Sequence, residues 1–434
     1  ITFSISGDAT VADLAGLAGK TDKADISLGG NITGTDVFQF MKDEGTFDTK
    51  TDNYDAAKGH TTAENIVLKD TGKNTLAMTA AKNITALNAI MNDAEGSVTA
   101  EITDPNGHLV AGTKRLTTTA NDAITVNLGS LNPTDTNLDE IKKLADQTAA
   151  AGAGQGGVDA ITGSLTISAA NITNKLKTFT NLTSDNNKIN FTLDDEVSVV
   201  EAAALIAKMH SSATIDFAQG IKGAIGDLAK GDGSAVSTEL AAVLGKDPTV
   251  NIKVTDTVDT ANEVKGLNVI RKGVTSGTIT AGTVSIDSTA AAEFNTSTGF
   301  FDAEDALTIT ISDAIDVETF NTLNGISNKA ITLTSGLEDS LNKLITGANT
   351  LSDGASAANT QNGSGVKIKV KDAVDTVSKI ALLDDLATAT TGAITASVSG
   401  AASINASLTN LKATDKITFS ISGDATVADL AGLA

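Results

Sequence analysis

The chain has 434 residues and no Cys, which excludes disulfides and thiolate metal sites, and aromatics at 3% argue against extended base-stacking surfaces. Lys plus Arg number 31 against 53 Asp plus Glu, a formal charge of −22 that repels phosphate backbones and makes nucleic acid a poor partner. Hydrophobic residues reach 41%, mostly Ala, Ile, Leu and Val, enough for a core of small side chains and too many for general disorder.

The opening segment, Ile1 to Ala18, reads ITFSISGDATVADLAGLA. Its first residues alternate apolar and polar, which predicts a strand with one buried face. Asp8 follows, and apolar residues three or four apart then predict a helix. The same unit returns at 189–193 (INFTL, Asp194, then Val197, Val200 and Ala204). It returns at 250–254 (VNIKV, Asp256, then Val258, Ala261, Val264 and Leu267) and at 307–312 (LTITIS, Asp313, then Val317, Phe320, Leu323 and Ile326). The next strand is expected from Ile331, 24 residues on. Further units start at 366 (VKIKV, Asp372, then Val374, Val377, Ile380, Leu383 and Leu386) and at 393 (AITASV, Gly400, then Ile404, Leu408 and Leu411). The last starts at 417 (ITFSIS, Asp424, then Val427, Leu430 and Leu433). Stretches 41–65, 105–122, 147–160, 231–248, 287–306 and 350–365 break the pattern and are expected to be loop insertions, with 151–157 and 353–365 the most loop-like.

A strand and a helix in 23–28 residues cannot hide their own apolar faces, so neighbouring units must stack. The expected fold is a repetitive β/α solenoid. A parallel sheet forms one side, short helices form the other, and right-handed crossovers join them. Superimposed on it is a long period: residues 417–434 repeat Ile1–Ala18 without a change, an offset of 417 − 1 = 416. Residues 1–416 are therefore expected to be one unit of a tandem array, and 417–434 the start of the next identical unit. No basic-then-apolar leader opens the numbered chain, which reads as a piece of something longer, and no apolar stretch reaches the ~20 residues of a membrane span.

Catalytic signals are sparse. His60, His108 and His210 are isolated, without a metal-ligand spacing such as HExxH, and no phosphate-binding or nucleophile-elbow motif occurs. Asp194-Asp195-Glu196, Asp302 with Glu304 and Asp305, and Asp384-Asp385 supply carboxylates, with no pattern that gathers two of them around a pocket. No enzyme is expected. Asp8, Asp104, Asp194, Asp256, Asp313 and Asp372 occupy equivalent places just after their strands. Stacked about 4.8 Å apart they would form a column, which serves as repeated helix N-caps or, with carbonyl oxygens, as a calcium site. Eight Asn-x-Ser/Thr sequons, at Asn31, Asn83, Asn171, Asn181, Asn190, Asn295, Asn362 and Asn405, would permit glycosylation in a secreted protein.

The stretches ITFSISGDATVADLAGL and KIALLDDLATATTGAITASVSGAASINASLTNL resemble the repeats of giant, acidic, Cys-free bacterial cell-surface and extracellular proteins, including marine cyanobacterial ones tied to swimming. The coil logic is similar to that of leucine-rich repeats, without their Asn ladder. The resemblance implies a structural repeat of an extracellular filament or surface coat, whose partners are further copies of itself. The alternative expectation is an adhesin arm that reads glycans or another surface through its insertions.

Overall fold

The computed structural model describes residues 2–20, 25–42, 50–58, 65–68, 76–77, 81–94, 96–103, 109, 116, 122–149, 157–294, 301, 305–326, 329–363, 365–401 and 408–427. The chain divides into two compact units, Ile1–Gln219 and Gly220–Ala434.

The first unit opens with β1 (Thr2–Ile5), a bend, β2 (Ala9–Thr10) and α1 (Val11–Ala18). The same pair of strands then recurs as β3 (Asp25–Leu28) and β4 (Ile32–Gly34), with β3 parallel to β1 and β4 parallel to β2. Next come α2 (Asp52–Lys58), β5 (Ile66–Leu68), β6 (Leu76–Ala77), α3 (Ala81–Asp93), β7 (Val98–Thr103) and β8 (Ala123–Leu131). The unit closes with α4 (Asp135–Ala149), β9 (Gly157–Ile167), α5 (Ala169–Asn174), β10 (Asn187–Leu193), β11 (Val197–Ser198), α6 (Val199–Ile206) and β12 (Ile215–Phe217). Its main sheet runs β2-β4-β5-β7-β8-β9-β10-β12, every pairing parallel, so neighbours in space follow chain order.

The second unit follows the same rule. It contains β13 (Ile221–Gly223), α7 (Ile225–Leu228), α8 (Thr238–Lys246), β14 (Ile252–Val258), α9 (Ala261–Gly273), β15 (Ile279–Ile286) and α10 (Ser288–Ala291). Then come β16 (Ala306–Ile311), α11 (Val317–Gly325), β17 (Thr332–Leu333), β18 (Leu337–Asp339) and α12 (Leu341–Leu344). The last elements are β19 (Ile345–Gly347), β20 (Thr350–Leu351), α13 (Asp353–Gln361), β21 (Ile368–Val370), α14 (Val377–Ala389), β22 (Ile394–Gly400) and β23 (Lys416–Ile421). Parallel pairing runs β13-β14-β15-β16-β17 and β18-β21-β22-β23, and β19 with β20 forms an antiparallel hairpin. The architecture is thus mixed α/β with several open parallel sheets.

Register explains why the alternating pattern folds this way. In-register parallel pairing sets Leu165, Phe191 and Ile215 side by side, and likewise Ile167, Leu193 and Phe217. All six side chains are buried, while Lys188 and Asn190, which alternate with Ile189 and Phe191 on β10, are exposed. In the second unit Ile221, Ile252 and Ile279 form the equivalent row. Each such side chain contributes about 1.5–3 kcal/mol of burial, more than one strand of four to eight residues could gain alone.

Several sequence expectations are corrected. Val200 is 48% exposed, because a capping box between Ser198 and Glu201 starts α6 at Val199 and buries Val199, Ala202 and Leu205 instead. Val197 belongs to β11 and Val258 to β14, not to helices. Likewise Val377 is 64% exposed at the start of α14, whose buried face is Ile380, Leu383 and Leu386. The stretch 353–365, expected as loop, holds α13, capped by Ser352 and buried through Ala355 and Ala358. The expected insertions 231–248 and 287–306 similarly hold α8 and α10. Residues 151–156 and 402–407 lie outside the described residues.

Candidate functional site

The strongest chemical pattern in the sequence is the post-strand aspartate, and the structure gives it an unexpected place. Among the described ones, Asp8, Asp194, Asp313 and Asp372 sit at or near the bend that follows a strand and Asp256 sits inside β14, each two to four residues before the true helix cap. Thr10 follows Asp8, Ser198 follows Asp194, Thr260 follows Asp256, Asp316 follows Asp313 and Thr376 follows Asp372. These later residues cap their own helices through side-chain oxygens that accept a backbone N–H in the first turn. The expectation that the post-strand Asp caps the helix of its own unit is therefore corrected: the short strand or bridge residue after the bend moves the helix start beyond its reach.

What the aspartates do instead is fasten neighbouring strand–helix segments. Asp256 Oδ1 accepts the N–H of Ile225, the first residue of α7, at 2.8 Å. Asp372 Oδ1 accepts the N–H of Leu341, the first residue of α12, at 2.9 Å. Both helices lack a side-chain cap of their own. Asp195 does the same for Ala169 of α5 at 2.7 Å, and Asp339 for Val317 of α11 at 3.2 Å. Asp8 points the other way along the chain and accepts from Asn31 N–H at 2.8 Å and Asn31 Nδ2 at 3.1 Å. Asp194 and Asp313 lie exposed at their bends, and Asp104 falls outside the described residues.

A second set of acceptors stands just before the strands. Asp122 takes the N–H of Val98 at 3.0 Å, Asp305 that of Ile279 at 2.8 Å and Asp415 that of Ile394 at 2.8 Å. Asn65 and Asn251, just before β5 and β14, and Asn190, inside β10, take the N–H groups of Ser97, Thr278 and Thr214 in the following segment. The aspartates satisfy the first amide of β7, β15 and β22, and the asparagines satisfy the amide of the residue just before β7, β12 and β15. Asp305 is fully buried and its Oδ2 lies 3.2 Å from Arg271 Nε. The same guanidinium donates to Gly277 O at 2.8 Å. The arginine thus ties α9 to the start of β15 while neutralising a carboxylate that could not stand charged alone. The sequence places Asp305 beside Asp302 and Glu304, and those two lie outside the described residues.

Groups suited to other chemistry are scattered. His210 Nδ1 lies 2.7 Å from Ser212 Oγ and accepts the Ser212 N–H, closing a turn after α6. His60 and His108 are outside the described residues, and among the described ones no three His, Asp or Glu side chains come together to hold a metal. An open depression of about 470 Å³ in the second unit is lined in part by Lys265, Asn268, Glu293 and Phe294. Its charges are already engaged: Lys265 Nζ lies 3.4 Å from Glu293 Oε1, and Asn268 Nδ2 donates to Glu293 O at 2.6 Å. Several sequon amides are engaged as well, with Asn31 Nδ2 on Asp8, Asn181 Nδ2 on Asp146 and Asn362 Nδ2 on Ala358 O.

No family of known proteins, no curated protein and no solved structure matches this chain.

Proposed function

We infer that the chain is a structural repeat of a large extracellular or cell-surface protein, built as a β/α solenoid in which each coil's main task is to hold the next. The observation that carries this reading is the order of pairing. Strands pair in parallel with the strands before and after them in sequence, and carboxylates and amides of one coil satisfy backbone N–H groups of its neighbour. Such a body gains stability coil by coil and has no inherent length, which suits a fibre or coat. The unchanged return of eighteen residues after 416 supports a tandem array whose partners are further copies of the same period. A charge of −22 keeps a long rod of this kind soluble and separate from its neighbours. The adhesin reading places glycan recognition in the insertions between coils.

Negative-stain images of the native material test the proposal. Long uniform fibres or a regular surface layer are expected; isolated globules would overturn it. A reproducible response on a glycan array would favour the adhesin arm.

A further inference from the structure

Residues Ile1–Ala18 and 417–434 are identical, yet the two copies have different neighbours. β1 pairs with the strand that follows it in sequence, β3, with Thr2 opposite Asp25, Phe3 opposite Ile26, Ser4 opposite Ser27 and Ile5 opposite Leu28. β23 pairs with the strand that precedes it, β22, with Ile417 opposite Ala396, Thr418 opposite Ser397, Phe419 opposite Val398 and Ile421 opposite Gly400. The hydrogen bonds at the strand ends show that these partners occupy opposite edges. Gly29 N–H donates to Ile5 O at 2.7 Å, so the Ile5 peptide group faces β3. Ser422 N–H donates to Gly400 O at 3.0 Å, so the Ser422 amide faces β22. Ser422 corresponds to Ser6 (422 − 416 = 6), the residue after Ile5. Successive residues of an extended chain aim their peptide groups at opposite edges, so one sequence holds β3 with one edge and β22 with the other.

Burial gives the same answer. Val11 is 4% exposed in the first copy, whereas its counterpart Val427 is 85% exposed. Ala9 is buried and Ala425 exposed, and Asp8 binds Asn31 while Asp424 is exposed. Phe3, Ile5, Phe419 and Ile421 are all half-buried, each with a strand on one side. Val398, with Val374 on one side and Phe419 on the other, is 1% exposed. Laid over one another, the two copies supply each other's missing neighbour.

We propose that this segment is the joint between copies of the chain: a single strand of sequence TFSI receives β22 of one copy on one edge and β3 of the next copy on the other. The occupant of the β23 edge is a second copy of this chain, seated through its residues 25–34. The bend aspartate at 424 takes the Asn31 amides, and Val427 is buried as Val11 is. The proposal rests on the tandem-array reading and adds where, and in what register, periods meet.

The full 434-residue chain tests it. Phe3→Pro with Ile5→Pro removes β1 as a strand and vacates the edge of β3, leaving 417–434 intact to fill it from another molecule. Sedimentation velocity should show a weight-average mass that at least doubles with concentration. The unvaried chain, whose own first segment holds the seat at high effective concentration, should stay smaller, as should a chain with prolines at 3, 5, 419 and 421. Because the protein has no Cys, register can be read directly. On the two-proline background, a chain with Ser420→Cys and one with Ser27→Cys should form a mixed disulfide, since paired strands lie about 4.8 Å apart, within disulfide reach. Thr418→Cys should form less of it. Should the two-proline chain misfold by circular dichroism, the mirror variant Phe419→Pro with Ile421→Pro serves, with Thr2→Cys and Ser397→Cys as the reporting pair. A monomeric two-proline chain, equal association of the four-proline chain, or disulfide yield indifferent to register would each overturn the joint. Long native fibres together with monomeric proline variants would sink the joint and leave the fibre reading standing; globular native material with associating variants would do the reverse.

Discussion

Helices α6 and α9 begin differently from α7 and α12. The first pair carry their own start signals: Ser198 with Glu201, and Thr260 with Glu263, bond reciprocally across the first turn. The second pair are four residues long, have no side-chain cap, and depend on Asp256 and Asp372, which lie 31 residues further along the chain. A self-capped helix is stable for local reasons. A helix capped by a residue 31 positions further on is complete only when that segment is in place, so its order reports on tertiary packing.

The largest effect belongs to the most buried of the cross-coil acceptors. Arg271→Ala leaves the Asp305 carboxylate at 0% exposure without its cation, a loss of about 3–5 kcal/mol. Urea unfolding of the variant should show that drop, while Arg271→Met combined with Asp305→Leu should recover much of it. A single variant no less stable than the parent would mean that the buried pair does not hold α9 to β15.

Next in size is the difference between the two kinds of helix start. Asp372→Ala should cost about 1–3 kcal/mol, because it leaves the Leu341 N–H without a charged acceptor. Its signature is spatial: hydrogen exchange should quicken at Leu341–Leu344, one coil away from the substitution, more than in α14 beside it. Ser198→Ala should cost about 1 kcal/mol and loosen α6, its own helix. If both variants loosen only the coil that carries them, the distinction between neighbour-capped and self-capped helices fails.

The same distinction marks what the sequence made legible. Alternation of Ile189, Phe191 and Leu193, or of Leu307, Ile309 and Ile311, is a local signal, and those strands and their buried faces follow from it. Apolar spacing alone puts Val200 on the buried face of α6, whereas the Ser198-x-x-Glu201 box in the sequence sets the phase that exposes it. The helix α13 was hidden by its composition: Gly354, Ser356 and Asn359 are weak helix formers, and the helix forms because Ala355 and Ala358 are buried against neighbours. The contacts of Asp256, Asp372 and Asp305 were illegible for a stronger reason. Their partners lie 26 to 31 residues away, and those spacings have no fixed value until stacking defines them. One usable hint existed: Ala224 cannot cap α7, and a helix start without a local cap calls for an acceptor from elsewhere.

Acid should loosen the self-capped helices. Partial burial works against the charged form of Glu201, but bonds from Thr173 and Ser198 outweigh it and hold its carboxyl below the ordinary glutamate range. Burial likewise opposes Glu263, whose bonds from Asp259 and Thr260 pull it down. A carboxyl depressed in the folded state contributes stability above its unfolded pKa and loses that contribution as pH falls through the folded value. The self-capped helices α6 and α9 should therefore begin to lose protection below about pH 4, and Glu201→Gln should flatten that part of the profile for α6. A profile unchanged by Glu201→Gln would remove the carboxylate from the cap's energetics.

The smallest expected effect is the most telling about the bend aspartates. Asp8, Asp256 and Asp372 each spend an oxygen on a backbone or amide N–H of an adjacent coil, an arrangement that lowers the need for a cation between them. Calcium binds through six to eight oxygens, and a carboxylate turned toward a helix N-terminus is turned away from such a cage. Stripping the protein with EGTA should leave its melting temperature unchanged. A fall on chelation, restored by calcium and not by magnesium, would mean that the bends hold metal as well as neighbouring coils, and that the acidic surface is neutralised along the stack rather than left to repel.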